Sequence, residues 1–288
     1  MKIVVVGLGK MGLGMALSIQ RAGYYVYGYD KNEMAARVAL ESGIDVIHEL
    51  SEVASEVVVY VLSLPNAAIV EAVVSGDKGI KSFARNGSLV IDTSTSDPQT
   101  TRRLAAELSP LGLGFIDAPV SGGAKGALAG ELTMFIGGST NDVEAAEGVL
   151  KAMGTKRFHI GASGAGNVGK ILNNLLCASH LIIAGEAFRL GRAAGVEPLA
   201  VLDAINTGSG RSGVTLYNFP ARILNGAFDS GFTMQLMRKD VRLAMSLAEA
   251  VGVNLPVSGL VGDFWSESSK EIPDFEDFNR IVEYIPAK

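Results

Sequence analysis

Cysteine, tryptophan and histidine are nearly missing from this chain: 288 residues hold one, one and three of them. A single cysteine, Cys177, excludes an intrachain disulfide, and its apolar helical surroundings mark it as a buried, inert thiol. His48, His159 and His180 are scattered without metal-ligand spacing, and Asp92, Asp117 and Asp240 form no evident ligand set, so no metal is expected. No block of basic residues occurs, and with 25 Lys and Arg against 30 Asp and Glu the net charge is −5. Nucleic-acid binding, which needs clustered cations against phosphate, is therefore not expected. Long apolar runs are also lacking. The longest, Leu172 to Ala187, is broken by Asn173, Asn174, Ser179, His180 and Glu186, short of the roughly 20 residues that span a bilayer. No signal-peptide pattern stands at Met1, so the expectation is a cytoplasmic protein without a membrane partner.

What is present suffices for two packed domains or one large one: 48% hydrophobic residues, 19% charged, and 35 glycines grouped in short clusters between apolar runs. The first half alternates strand-like runs (Lys2–Val6, Tyr25–Tyr29, Val57–Val61, Leu89–Asp92, Gly114–Ala118, Thr133–Gly137, and a last one at Arg157–Ile160) with helical stretches such as Gly12–Ala22, Met34–Ser42 and Pro98–Leu108. Runs apolar on both faces, such as Ile3-Val4-Val5-Val6, belong in a parallel sheet covered on both sides. The fold class expected is α/β, a doubly wound parallel sheet of the Rossmann type, over residues 1–162. After the glycine-rich stretch Gly161–Gly169 the strand signals stop. A long proline-free helical pattern runs from Lys170 to Ala194, followed by helices at Pro198–Asn206, Ala221–Leu224, Lys239–Val251 and Val257–Lys270. Residues 163–288 are expected to form an all-helical domain.

Directly after the first strand stands Gly7-Leu8-Gly9-Lys10-Met11-Gly12, opening a helix. Gly7 permits the tight turn, Gly9 a close approach of backbone to a pyrophosphate, and Gly12 close packing of helix on strand. The phosphates would lie on the free N–H groups at the positive end of that helix. At the end of the second strand, Asp30 is placed to accept hydrogen bonds from ribose hydroxyls and to repel a 2′-phosphate. This favours NAD, although Lys31 beside it leaves NADP possible.

The stretch Gly7 to Met15 resembles the opening fingerprint of the β-hydroxyacid dehydrogenases, a family that includes 3-hydroxyisobutyrate, threonate and serine dehydrogenases and tartronate semialdehyde reductase. Three further segments resemble family motifs in the same order. They are Asp117-Ala118-Pro119-Val120-Ser121-Gly122-Gly123, then Gly164 through Asn174, then Phe232 with Met237-Arg238-Lys239-Asp240. The resemblance implies NAD-dependent oxidation of the hydroxyl of a small 3-hydroxy acid, such as 3-hydroxyisobutyrate, to a semialdehyde or keto acid. It implies that Lys170 takes the hydroxyl proton, which a lysine can do near neutral pH when burial or a neighbouring cation favours its neutral form. Asn174, one helical turn on, and Ser121, Gly122 and Gly123 would hold the substrate. Leu64, Pro65 and Thr95 would contact the cofactor, and Lys239 would close on it. A homodimer or homotetramer assembled through the helical half is also implied.

Other readings stay open at this point. Within the family the substrate is undecided among 3-hydroxyisobutyrate, threonate, glycerate and tartronate semialdehyde. Arg211 either selects a second anionic group on the substrate or makes a structural pair. The 6-phosphogluconate dehydrogenases share the fold but usually carry a histidine where this chain has Asn173. Imine reductases generally lack the lysine. A non-catalytic NAD sensor would need only the first domain.

Overall fold

The computed structural model describes residues 1–286. Its elements run β1 (Lys2–Val6), α1 (Lys10–Arg21), β2 (Tyr25–Tyr29), α2 (Glu33–Glu41), β3 (Asp45–Val46), β4 (Val57–Leu62), α3 (Ala67–Ser75), β5 (Leu89–Asp92), α4 (Pro98–Leu108), β6 (Gly114–Asp117), β7 (Val120–Ser121), α5 (Gly123–Ala129), β8 (Thr133–Gly137), α6 (Thr140–Met153) and β9 (Lys156–Gly161). Helices follow: α7 (Ala165–Ala193), α8 (Pro198–Thr207), α9 (Met234–Ala250) and α10 (Pro256–Glu267). The chain divides into two compact units, Met1–Lys170 and the remainder from Ile171.

In the first unit the sheet order is β3-β2-β1-β4-β5-β6-β8-β7, with β9 on β8. Alternate residues of β1 enter different cores: Ile3 and Val5 pack with Met15 and Ile19 of α1, Val4 and Val6 with Val70 and Val74 of α3 and Leu104 of α4. That division is why the run is apolar on both faces, as a sheet with helices on either side requires. The expected doubly wound parallel sheet is present, and antiparallel pairings extend it on one side. From β3 through β6 every pairing is parallel, but β8 runs antiparallel to β6 and β7. β9 then pairs with β8 in parallel. The reversal follows Pro119, which has no N–H to give to a ladder and separates β6 from β7.

Side chains cap most helices of this sheet: Asn32 for α2, Asn66 for α3, Asp97 for α4 and Ser139 for α6. In α1 the cap is Gly9, without a side-chain bond, and the first turn holds no acidic residue. Its N-terminal N–H groups are left facing outward with their partial positive charge.

α7 begins at Ala165, not at Lys170, so glycines expected to precede the helix lie inside it. They serve close packing instead of a turn. A Cβ on Gly166 would sit 2.3 Å from the carbonyl oxygen of Phe135, and one on Gly169 would sit 2.6 Å from Ile160. With this docking onto β8 and β9, the first compact unit runs through Lys170.

In the second unit, Ala178, Leu181, Ala184 and Phe188 of α7 form a core with Phe219, Met237 and the fully buried Trp265. α7 is, contrary to expectation, long and apolar enough by length and composition to cross a membrane. Its buried residues form the core of this unit. The short helix expected at Ala221–Leu224 falls at the end of a π-helical stretch, Val214–Ile223, that contains Pro220. A proline cannot complete an α-helical ladder, and the wider winding absorbs the missing donor.

Candidate active site

The C-terminal ends of β1, β4, β5 and β6 lie side by side along one edge of the sheet. In open α/β sheets ligands bind outside this edge, where the strand order reverses, here between β1 and β4. Hydrogen bonds stitch the loops leaving that edge. Ser63 N–H donates to the Val6 carbonyl (2.8 Å), Leu64 N–H to Ser94 Oγ (2.9 Å), and Ala118 N–H to the Asp92 carbonyl (2.7 Å). Pro65 is exposed, and Leu64 and Thr95 are half-buried on two of these loops.

The glycine turn has the geometry a dinucleotide needs. Gly7 has φ +91°, and a Cβ there would meet the Ser63 carbonyl oxygen at 2.3 Å. A Cβ on Gly12 would fall 1.8 Å from the Gly7 carbonyl oxygen. At Gly9, by contrast, a Cβ would meet nothing within 4 Å, so its face is open to a ligand. Gly9 and Lys10 are exposed, Met11 is half-buried and Leu8 is buried. Together with the bare N-terminus of α1, this is a cradle for a pyrophosphate, and the residues present fit an NAD-type cofactor. Asp30 stands half-buried at the end of β2. Its carboxylate accepts N–H bonds from Leu8 (2.7 Å) and Asn32 (2.8 Å), so it braces the glycine turn.

Ser121 ends β7, half-buried, and is followed by exposed Gly122 (φ +131°) and Gly123 (φ +64°). A Cβ on Gly123 would touch nothing within 4 Å. Backbone in these left-handed conformations is accessible only to glycine without strain.

Lys170 is 6% exposed, and the first turn of its helix is tied to the same sheet edge. Asn167, fully buried, accepts the Ser96 N–H (3.1 Å) and donates to Thr101 Oγ1 (2.9 Å). Asp117, at the end of β6, accepts N–H bonds from Gly164 and Asn167, both at 2.8 Å. Burial pushes the Asp117 carboxyl above its ordinary range, and these N–H bonds oppose that rise.

In the second unit, Asn174 is buried, donates from its amide nitrogen to Asp240 Oδ2 (2.5 Å) and accepts from Asn173 (3.0 Å). The other Asp240 oxygen lies 3.2 Å from Lys239 Nζ. Asp240 and Asn167 lie within motifs quoted from the sequence but received no role there. Nothing local distinguishes a polar residue in a motif from one buried by partners 66 or 71 positions away. Arg238, between Met237 and Lys239, is a core residue: its guanidinium bonds Asp274, Ser268 and the Trp265 and Ile272 carbonyls.

Residues 2–161 match the family described as the NAD binding domain of 6-phosphogluconate dehydrogenase, and residues 164–285 the one described as NAD-binding of NADP-dependent 3-hydroxyisobutyrate dehydrogenase. The chain belongs to the β-hydroxyacid dehydrogenase family. It is an NAD(P)-dependent 3-hydroxyacid dehydrogenase. Among its relatives is 2-(hydroxymethyl)glutarate dehydrogenase of Eubacterium barkeri, 36% identical over 90% of this chain and 86% of the relative. The NAD-dependent L-serine dehydrogenase of Pseudomonas aeruginosa is 34% identical over 90% and 89%. The solved structure of Mycobacterium tuberculosis 3-hydroxyisobutyrate dehydrogenase with L-serine superposes on the dehydrogenase with a TM-score of 0.90, at 31% identity and 98% coverage of both chains.

Proposed function

We propose that the dehydrogenase oxidises the primary hydroxyl of a 2-substituted 3-hydroxypropanoate to the semialdehyde, with Lys170 as the catalytic residue. The observation that carries this reading is the burial of Lys170 on a helix whose first turn is bonded to the ligand-binding edge of the sheet. The substrate class rests on the relatives. 3-Hydroxyisobutyrate, serine and 2-(hydroxymethyl)glutarate all place a CH₂OH group beside a carboxylate-bearing carbon, and they differ in the other substituent: methyl, amino or carboxyethyl.

Bound nicotinamide supplies the hydride acceptor; the chain handles the proton and the charges. The carbinol O–H proton passes to the neutral amine of Lys170 as the C–H bond breaks and the C=O bond forms. Ser121 and the N–H groups of Gly122 and Gly123 hold the substrate carboxylate. Asn174, its amide oriented by Asp240, offers its remaining N–H to the substrate. Leu64, Pro65, Thr95 and Lys239 contact the cofactor. The carboxylate of Asp30 supports NAD as the preferred form, since it would repel a 2′-phosphate. We further propose a cytoplasmic homodimer or homotetramer.

Steady-state kinetics with NAD and NADP over 3-hydroxyisobutyrate, serine, 2-(hydroxymethyl)glutarate, threonate and glycerate tests the assignment. Turnover of one of the first three with the highest kcat/KM is expected. If only threonate, whose 3-hydroxyl is secondary, reacts, the substrate class is wrong. If 2-(hydroxymethyl)glutarate is favoured, Arg211→Ala should raise its KM selectively, since a guanidinium can grip the second carboxylate.

A further inference from the structure

We infer that Asp117 is a positioning residue: a buried carboxylate clamping the first turn of α7 so that the Lys170 amine is held at a fixed place for proton transfer. The inference rests on the reading of Lys170 as the proton acceptor. An α-helix leaves its first four N–H groups without partners, and such ends fray. Lys170 stands only five residues past the start of α7, where fraying would displace it. Asp117 meets that weakness from another element, its two oxygens taking the Gly164 and Asn167 N–H groups at 2.8 Å each. Asn167 extends the clamp through its side chain to Ser96 N–H and Thr101 Oγ1, joining the turn to the loop after β5 and to α4.

The chemistry of the clamp calls for a carboxylate. Both oxygens must accept, and an asparagine amide would present N–H to N–H at one of the two bonds. A fully buried carboxylate is costly, and this one is retained where a helix N-terminus stabilises negative charge. Gly166 completes the fit, because a Cβ there would crowd the Asp117 carbonyl oxygen at 2.7 Å. A displacement of about 1 Å at a reacting group can cost about 10²-fold in rate, so loosening this turn should appear in kcat.

The test uses the full-length protein with whichever acid of the panel it turns over. Asp117→Asn is expected to lower kcat about 10- to 100-fold, leave the NAD dissociation constant within about threefold, and speed deuterium exchange in the peptide covering residues 162–172. The same substitution placed in Lys170→Ala should change the residual rate by less than about twofold, since a positioning residue has nothing left to position. A structural role alone would lower both backgrounds equally, and that result overturns the inference. Unchanged exchange, or unchanged kcat, in Asp117→Asn overturns it too. Should Asp117→Asn not fold, Thr101→Val breaks the far end of the clamp, and the same two-background comparison decides. Near-native turnover by Lys170→Ala alone would instead remove the lysine reading, whatever the exchange data show.

Discussion

Lys170, Asp30 and Tyr60 show how differently single side chains are exposed to test. Lys170→Ala should keep nucleotide affinity, read by fluorescence titration, while turnover falls about 10²- to 10⁴-fold, the usual contribution of a general acid or base. Asp30 braces the Leu8 N–H, and the proposed function adds a bond to the ribose. Asp30→Ala should therefore weaken NAD about tenfold or more, as a lost charge-assisted bond of about 1.5–3 kcal/mol implies, without bringing NADP to the native enzyme's NAD affinity. Binding titrations with both nucleotides check this. Tyr60 is a buried phenol on β4 whose hydroxyl has no hydrogen-bond partner among the described residues. Burial pushes its pKa up to about 12 from 10.0. Between those values the unfolded chain has lost a proton that the folded one keeps, so stability falls as pH rises through that window. Tyr60→Phe should flatten that loss and raise stability at neutral pH by about 1 kcal/mol, measured by denaturant midpoints across pH.

Among the elements, the turn from β1 into α1 separates a structural glycine from a ligand-facing one. Gly12→Ala forces a Cβ against the Gly7 carbonyl and should cost about 1–3 kcal/mol of stability along with nucleotide binding. Gly9→Ala meets only open space in the protein and should leave the melting temperature within about 1 °C, a change well under 1 kcal/mol. Its nucleotide affinity should nevertheless drop, because the methyl would enter open space where the proposed cofactor site brings the pyrophosphate. Equal losses of stability in both variants would contradict this division. β1, β4, β5 and β6 were legible because each is buried on both faces, as the run Ile3 to Val6 shows. β3 and β7, of two residues each, are too short to carry a pattern. α5, reading GAKGALA, has the composition of a turn and is helical because Leu132 and α1 pack on it. The start of α7 was hidden for a related reason: glycine in sequence signals a break, whereas Gly166 and Gly169 are there to let a helix press on strands.

For the whole molecule, Leu176, Ile183 and Leu190 are 58%, 60% and 72% exposed at intervals of seven along α7. Seven residues are close to two helical turns, so the three share one side of the helix. An apolar stripe of this kind fits the proposed self-association. Light scattering at micromolar concentration should find a dimer or larger species, and the double substitution Ile183→Glu and Leu190→Glu should shift it to monomer. A native protein that is monomeric throughout would remove the oligomer proposal.

The sequence alone determined the alternation of strands and helices, the nucleotide turn at Gly7 to Gly12, the acidic residue at the end of β2 and the family to which the chain belongs. Each of these rests on residues close together in the chain, where periodicity and turn chemistry act locally. Only the tertiary structure decided the antiparallel course of β8, the role of Asp240 beside Asn174 and the hold of Asp117 on Gly164 and Asn167. Those bonds join residues 47, 50 and 66 positions apart. Their formation depends on strand order and on the register with which α7 meets the sheet, set by the packing of whole elements and carried by no single stretch of sequence.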